Sequence, residues 1–145
     1  GSIADADRYL DLGCGSGILA TLLAREHPDS EVFAVDASWA AVDATRRTAA
    51  GTAVVTRWAS DLVGFAEASL DVIVCNPPFH SEASVSTALS EFLFREAART
   101  LRPGGIMLTV FNSHLEHRRA LQRLVGPTEQ LGRNQKFTVT RTVRI

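Results

Sequence analysis

Residues 9–24 read Tyr-Leu-Asp-Leu-Gly-Cys-Gly-Ser-Gly-Ile-Leu-Ala-Thr-Leu-Leu-Ala, and this stretch restricts the fold more than any other. A short apolar run, 9–12, stops at Gly13. Glycines then alternate with small residues at Gly13, Gly15 and Gly17. Beyond them Ile18, Leu19, Leu22 and Leu23 recur at helical spacing. Strand, glycine turn and helix in direct succession form the opening of a parallel β–α–β unit.

The pattern repeats along the chain. Residues 31–36 read as a second strand closing on Asp36, and Ser38 is placed to cap a helix running to about residue 50. Strands are expected over 53–58 and 70–75, and a helix over 84–101 with Leu89, Phe92, Leu93 and Ala97 on one face. Pro103-Gly104-Gly105 reads as a turn before a fifth strand at 106–111. A helix over 115–125 breaks at Gly126-Pro127, and strands at 129–131 and 137–143 follow. Residues 60–69 lack periodicity and read as a loop or one turn of helix. Strands alternating with helices imply an α/β fold with a mostly parallel, doubly wound sheet covered on both faces. The last two strands have too short a connection for a parallel crossover, so the final strand is expected to be antiparallel.

Composition excludes some classes of function. The 145 residues suit one domain. Gly1-Ser2 is expected to be a cloning scar, leaving 3–145 as the domain. A formal net charge of -1 gives no global attraction to nucleic acid or membrane. No apolar run approaches the ~20 residues that cross a bilayer, and a cytoplasmic location is expected. Lys136 is the only lysine among 15 basic residues, a bias expected to reflect coding composition. Cys14 and Cys75 can pair only with each other and are expected to be reduced packing thiols. No Cys/His set has zinc spacing, so no metal is expected.

Ligands of doubly wound sheets lie beyond the carboxyl ends of the strands, where Gly13, Gly15 and Gly17 stand. The spacing is Gly-x-Gly-x-Gly, one residue away from the nicotinamide fingerprint Gly-x-Gly-x-x-Gly. Asp36, at the end of the next strand, can accept hydrogen bonds from both hydroxyls of a ribose. A nucleoside ligand without phosphates fits best. The strand at 70–75 leaves through Asn76-Pro77-Pro78-Phe79-His80. Two prolines remove two backbone donors and forbid helix there, and on its own an Asn-Pro pair reads first as a stiff turn.

With Asp11-Leu12-Gly13-Cys14-Gly15-Ser16-Gly17, Asp36, Ser60-Asp61 and Asn76-Pro77-Pro78-Phe79 in place, the chain resembles the class I S-adenosylmethionine-dependent methyltransferases. The resemblance implies their seven-stranded Rossmann-like sheet. It implies S-adenosylmethionine as cofactor and S-adenosylhomocysteine as product. Asp11 would lie near the methionine amino group, Asp36 at the ribose and Asp61 at the adenine amino group, with Leu62 or Trp58 beside the ring. Core packing is the preferred expectation for Trp58. Asn76 would border the cofactor and the target alike.

Asn-Pro-Pro-Phe looks like the motif of the amino-methylating branch. An exocyclic amine is a poor nucleophile because its lone pair is delocalised into the ring. Two acceptors aimed at its hydrogens, the Asn76 side-chain carbonyl and the Pro77 main-chain carbonyl, favour the pyramidal form, and the prolines hold them still. Phe79 offers a face on which a base can stack.

His80, the Asn112-Ser113-His114 turn and Asn134-Gln135-Lys136-Phe137 resemble the ribosomal-RNA guanine-N2 methyltransferases. Guanine N2 of ribosomal RNA, naked or in a ribosomal subunit, is thus the expected target. Asn76, Pro77 and Phe79 carry catalysis. Pro78, His80, Asn112, Arg133 and Lys136 are substrate contacts. In that family the catalytic domain is the C-terminal half of a longer chain, so an N-terminal RNA-binding half is expected. Arg118, Arg119 and Arg123 are expected on a solvated helix face, and His114 and His117 at the surface. Alternatives are an N-methyltransferase for a protein glutamine amide, adenine N6 or a small-molecule amine, or a non-catalytic cofactor- or RNA-binding module.

Overall fold

The computed structural model describes residues 7–13, 15–76 and 83–145. In chain order the elements are β1 (Arg8–Leu12), α1 (Ile18–Glu26), β2 (Glu31–Asp36), α2 (Trp39–Thr48), β3 (Val55–Trp58), β4 (Leu70–Cys75), α3 (Ala83–Thr100), β5 (Leu101–Asn112), α4 (His117–Leu124), β6 (Thr128–Arg133) and β7 (Phe137–Val143). The strands form one sheet in the order β3-β2-β1-β4-β5-β7-β6. Every pairing among β1 to β5 is parallel, and β7 runs antiparallel to both β5 and β6. Strand order reverses between β1 and β4, which opens a crevice at their carboxyl ends.

Two apolar cores hold the layers together. One gathers Leu10, Leu12, Phe33 and Ile73 of the sheet with Leu93, Phe94 and Ala97 of α3 and Leu121 of α4. The other gathers Tyr9, Val32, Ala34 and Val72 against Ala20 and Leu23 of α1. The small residues of α1 point inward while Ile18, Leu19 and Leu22 stay exposed. Gly17 sets this packing. A Cβ there would stand 2.7 Å from Thr45 Cα, so only glycine lets α1 and α2 approach so closely.

On α3 the buried face is Ser90, Leu93, Phe94 and Ala97, and Leu89 and Phe92 fall on the exposed side of the expected stripe. The turn expected at Pro103-Gly104-Gly105 is absorbed into β5. That strand pairs at Leu70↔Leu101, shifts register, and resumes at Val72↔Ile106, with Gly104 at φ 82°. Asp71 ties three segments together at the amino end of the sheet, accepting from the N–H groups of Asp7 and Arg8 and from Arg102 Nε at 2.5 Å. Burial alone would raise its pKa, but these donors hold the carboxyl below its usual range.

Candidate active site

The β1–β2 register pairs Leu12 with Val35, and the Gly13 N–H continues it by donating to Val35 O at 2.8 Å. The chain then turns through Gly13 at φ 81°, Gly15 at 55° and Gly17 at 83°, values that glycine adopts without strain. A Cβ on Gly15 would meet none of the described residues within 4 Å, so among them the turn is open above it. Asp36 organises the rim. Its Oδ2 accepts from Gly15 N at 3.2 Å and its Oδ1 from Ser38 N at 2.8 Å. Each carboxylate oxygen keeps a further lone pair for a ligand. Ser38 then caps α2 by accepting from Ala41 N.

Asp11 is only 4% exposed. Burial lifts its pKa from 3.8 to about 6, the Ala20 N–H at the start of α1 pulls it back, and the nearby Asp36 charge adds to the rise. Its Oδ2 has no hydrogen-bond partner among the described residues. A buried, unpaired carboxylate oxygen beside an open glycine turn is suited to a cationic ligand group.

Asp61 lies in the 60–69 loop, where its Oδ1 accepts from Val63 N at 3.1 Å. Two arginines staple that loop. Arg99 donates to Leu62 O at 2.8 Å and Phe65 O at 2.9 Å while paired with Glu96, and Arg57 donates to Gly64 O and lies over the Phe65 ring. The Leu62 side chain is fully buried in the core and presents no face to solvent. Trp58 reverses the expectation of core packing, being 63% exposed. It pairs in register with Asp36, donates its indole N–H to Ala37 O at 2.9 Å, and meets Trp39 edge-on at 5.3 Å. The short edge strand β3 leaves that side chain uncovered. Trp39, also half exposed, does not stand out in the sequence, and its place just after the Ser38 cap is the available signal.

The β1–β4 register sets Leu12 opposite Cys75. Asn76 is therefore the neighbour of Gly13, its N–H donating to Leu12 O at 3.2 Å. A Cβ on Gly13 would lie 2.9 Å from Asn76 O. The glycine turn and Asn76 thus lie side by side, with only backbone between them. Pro77, Pro78, Phe79 and His80 lie outside the described residues, as does Cys14. Cys75 is a free, buried thiol whose pKa burial pushes up.

Asn112 ends β5 opposite Phe137, and its side chain accepts from His114 N. Ser113 N donates to Lys136 O at 2.9 Å, and Arg133 Nη2 donates to Ser113 O at 3.2 Å. Asn112, Arg133 and Lys136 therefore form one cluster at the carboxyl end of β5, and Lys136 Nζ lies 5.2 Å from the Phe137 ring. His117 is not at the surface. It is 5% exposed, edge-on to Phe94 and Phe111, because α4 starts at His117 and turns it inward with Leu121 one turn later. Burial lowers its pKa. Among the described residues no group of His, Cys, Asp and Glu is arranged to hold a metal, and no helix is long and apolar enough to cross a membrane.

Fold and site together define an α/β domain of the class that binds its ligand across a strand-order switch point. The chain belongs to the methyltransferase small domain family, which residues 3–141 match. It is 40% identical to ribosomal RNA large subunit methyltransferase G of Streptomyces avermitilis, over 98% of this chain and 38% of that protein. It is also 40% identical to the enzyme of that name from Pseudomonas aeruginosa PAO1, over 91% of this chain and 36% of that one. A solved T. thermophilus 16S rRNA N2-guanine methyltransferase, in complex with AdoMet and guanosine, superposes with TM-score 0.81 at 28% identity, covering 97% of this chain and 38% of the other. The chain thus spans under two fifths of these relatives.

Proposed function

We propose that this domain transfers a methyl group from S-adenosylmethionine to guanine N2 of ribosomal RNA, leaving S-adenosylhomocysteine. The observation that carries the reading is the close approach of Asn76 to the glycine turn, which supports a site where a nucleoside cofactor and a target amine meet. The names of the relatives support ribosomal RNA as the substrate class, and the unpaired Asp11 Oδ2 and open Gly15 support the cofactor.

S-adenosylmethionine supplies a methyl group already activated on a sulfonium, so no nucleophilic side chain is needed. Asp11 receives the cofactor ammonium, Asp36 the ribose hydroxyls and Asp61 the adenine amino group, with Trp58 as the aromatic wall and Gly13, Gly15 and Gly17 giving close backbone approach. The Asn76 side chain and the Pro77 carbonyl accept from the target amine and hold its lone pair toward the methyl. Phe79 stacks the base. Pro78, His80, Asn112, Arg133 and Lys136 guide the RNA in the cytoplasm, where ribosomes are made. The additional length of the relatives leaves room for an RNA-binding half that shares in target choice.

The test is transfer of labelled methyl from S-adenosylmethionine into a total ribosomal extract, followed by separate nuclease and protease digestion. Label released by nuclease as N2-methylguanosine is the expected result. Label that survives nuclease but not protease would move the target to a protein amide.

A further inference from the structure

Beside the Asn112 cluster lies a pocket of about 420 Å³ between α4 and the β6–β7 end of the sheet. Arg118 and Arg119 line it from α4 and Arg133 from the end of β6, with Gln122 and Gln130 adding amide donors and Glu116 the only acid in its lining among the described residues. Arg118, Arg119 and Arg123 are all exposed, as expected of a solvated helix face, and the first two also line this pocket. Arg123 pairs with Glu91 of α3 and lies outside it.

The three pocket arginines differ in how they are held. Arg118 donates to Thr128 O at 3.3 Å and Arg133 to Ser113 O at 3.2 Å, so both heads are oriented by backbone while keeping further donors. The Arg119 side chain makes no hydrogen bond or ion pair with the described residues, and it is exposed. Planar guanidinium forks suit the oxygens of a phosphate, and two amide side chains add neutral donors.

We propose that this pocket binds a phosphodiester of the substrate RNA, next to but distinct from the site where the methyl group is transferred. The pocket opens at the carboxyl end of β5 and β6, the same sheet end as Asn76. β6 stands three strand spacings from β4, about 14 Å. The phosphate held there belongs to a nucleotide near the target and not to the target itself. With a net charge of -1 these 145 residues have no global pull on RNA, so the attraction they contribute comes from a local cluster. The RNA assignment rests on the function proposed above; the anion pocket itself does not.

The test measures binding of a short fluorescein-labelled single-stranded RNA from about 50 to about 200 mM salt. Wild type, Arg119→Gln, Arg119→Lys and the double variant Arg118→Gln/Arg119→Gln are compared. The double variant is expected to bind about tenfold more weakly, with the slope of log affinity against log salt shallower by about 0.7 for each phosphate left without its arginine. Arg119→Lys should keep most of the affinity, and the thermal shift with S-adenosylhomocysteine should be unchanged in all three variants. RNA affinity and slope equal to wild type in the double variant overturn the proposal. So does loss of inorganic phosphate binding with RNA binding intact, which would make the pocket a free-anion site. Wild type that binds RNA through these arginines yet forms no N2-methylguanosine leaves the pocket standing and removes the proposed reaction.

Discussion

Burial in the core leaves the Asp11 carboxyl holding its proton up to a pKa of about 6 in the ligand-free protein. It binds that proton more tightly folded than unfolded. Its contribution therefore favours the folded state fully below about 3.8 and is lost as pH rises through about 6. The charged form costs the folded state about 3 kcal/mol at neutral pH. Asp11→Asn should remove this dependence. In thermal melts from pH 4 to 7, the gap between variant and wild type should widen in the variant's favour as pH rises, while its S-adenosylhomocysteine affinity falls. Subtracting the two curves cancels the opposing titration of His117. A pH-independent gap would mean that Asp11 titrates normally. Asn76→Ala addresses the other side of the contact. Turnover should drop about 100-fold, as for loss of one preorganised polar group in a transition state, with cofactor binding nearly intact. Loss of cofactor binding instead would count against Asn76 as the amine acceptor. Of the residues proposed to hold the cofactor, Asp11, Asp36 and the three glycines had legible positions, because they stand at or just beyond the carboxyl ends of strands that the sequence marks. Trp58 was not, since exposure depends on which strand lies at the sheet edge, and one strand's pattern does not say.

Elements were legible where periodicity was strong and blurred where tertiary packing took over. β2, β4 and β7 fall on the residues their apolar patterns mark, whereas α4 begins two residues later than expected. The loop at 60–69 shows the limit most clearly. Its residues have no period, yet it is fixed in place by Arg99 and Arg57, whose reach from α3 and β3 no local pattern reveals. Arg99→Ala should free the carbonyls of Leu62 and Phe65 and cost about 1–2 kcal/mol. Amide exchange across residues 61–65 should accelerate, and cofactor affinity should fall several-fold because Asp61 rides on the same loop. Unchanged exchange there would show that Arg57 and the buried Leu62 hold the loop alone. The buried face of β7 is another case. Thr138, Thr140 and Thr142 point into the core while Val139 and Val143 are half covered, the reverse of what hydrophobicity alone would choose. Hydroxyl pairs Thr128–Thr142 and Ser113–Thr138, each at 2.9 Å, satisfy part of that polar stripe.

At the scale of the molecule, alternation of strand and helix and the short last connection were enough to anticipate the sheet and its antiparallel member. The insertion of β7 between β5 and β6 came from topology alone. Gly126 guards that insertion. A Cβ there would stand 2.0 Å from Val143 O, a backbone atom that cannot swing away. Gly126→Ala should therefore lower stability by about 1–3 kcal/mol, read as a fall in the denaturant midpoint, and amide exchange should rise in β6 and the end of β7 before β1 to β4. Wild-type exchange in β6 would show that the junction relaxes freely. The same insertion has a consequence for the newborn chain. Among the described residues β6 has one strand neighbour, and that neighbour is made after it. As residues emerge at about 5–20 per second, β1 to β5 can assemble while β6 waits with nothing to pair with. Until β7 slides in, the free edge of β5 is open to any passing strand. The antiparallel strand is thus a latch that closes after every other strand described, and a chain stalled before it would leave the β5 edge uncovered.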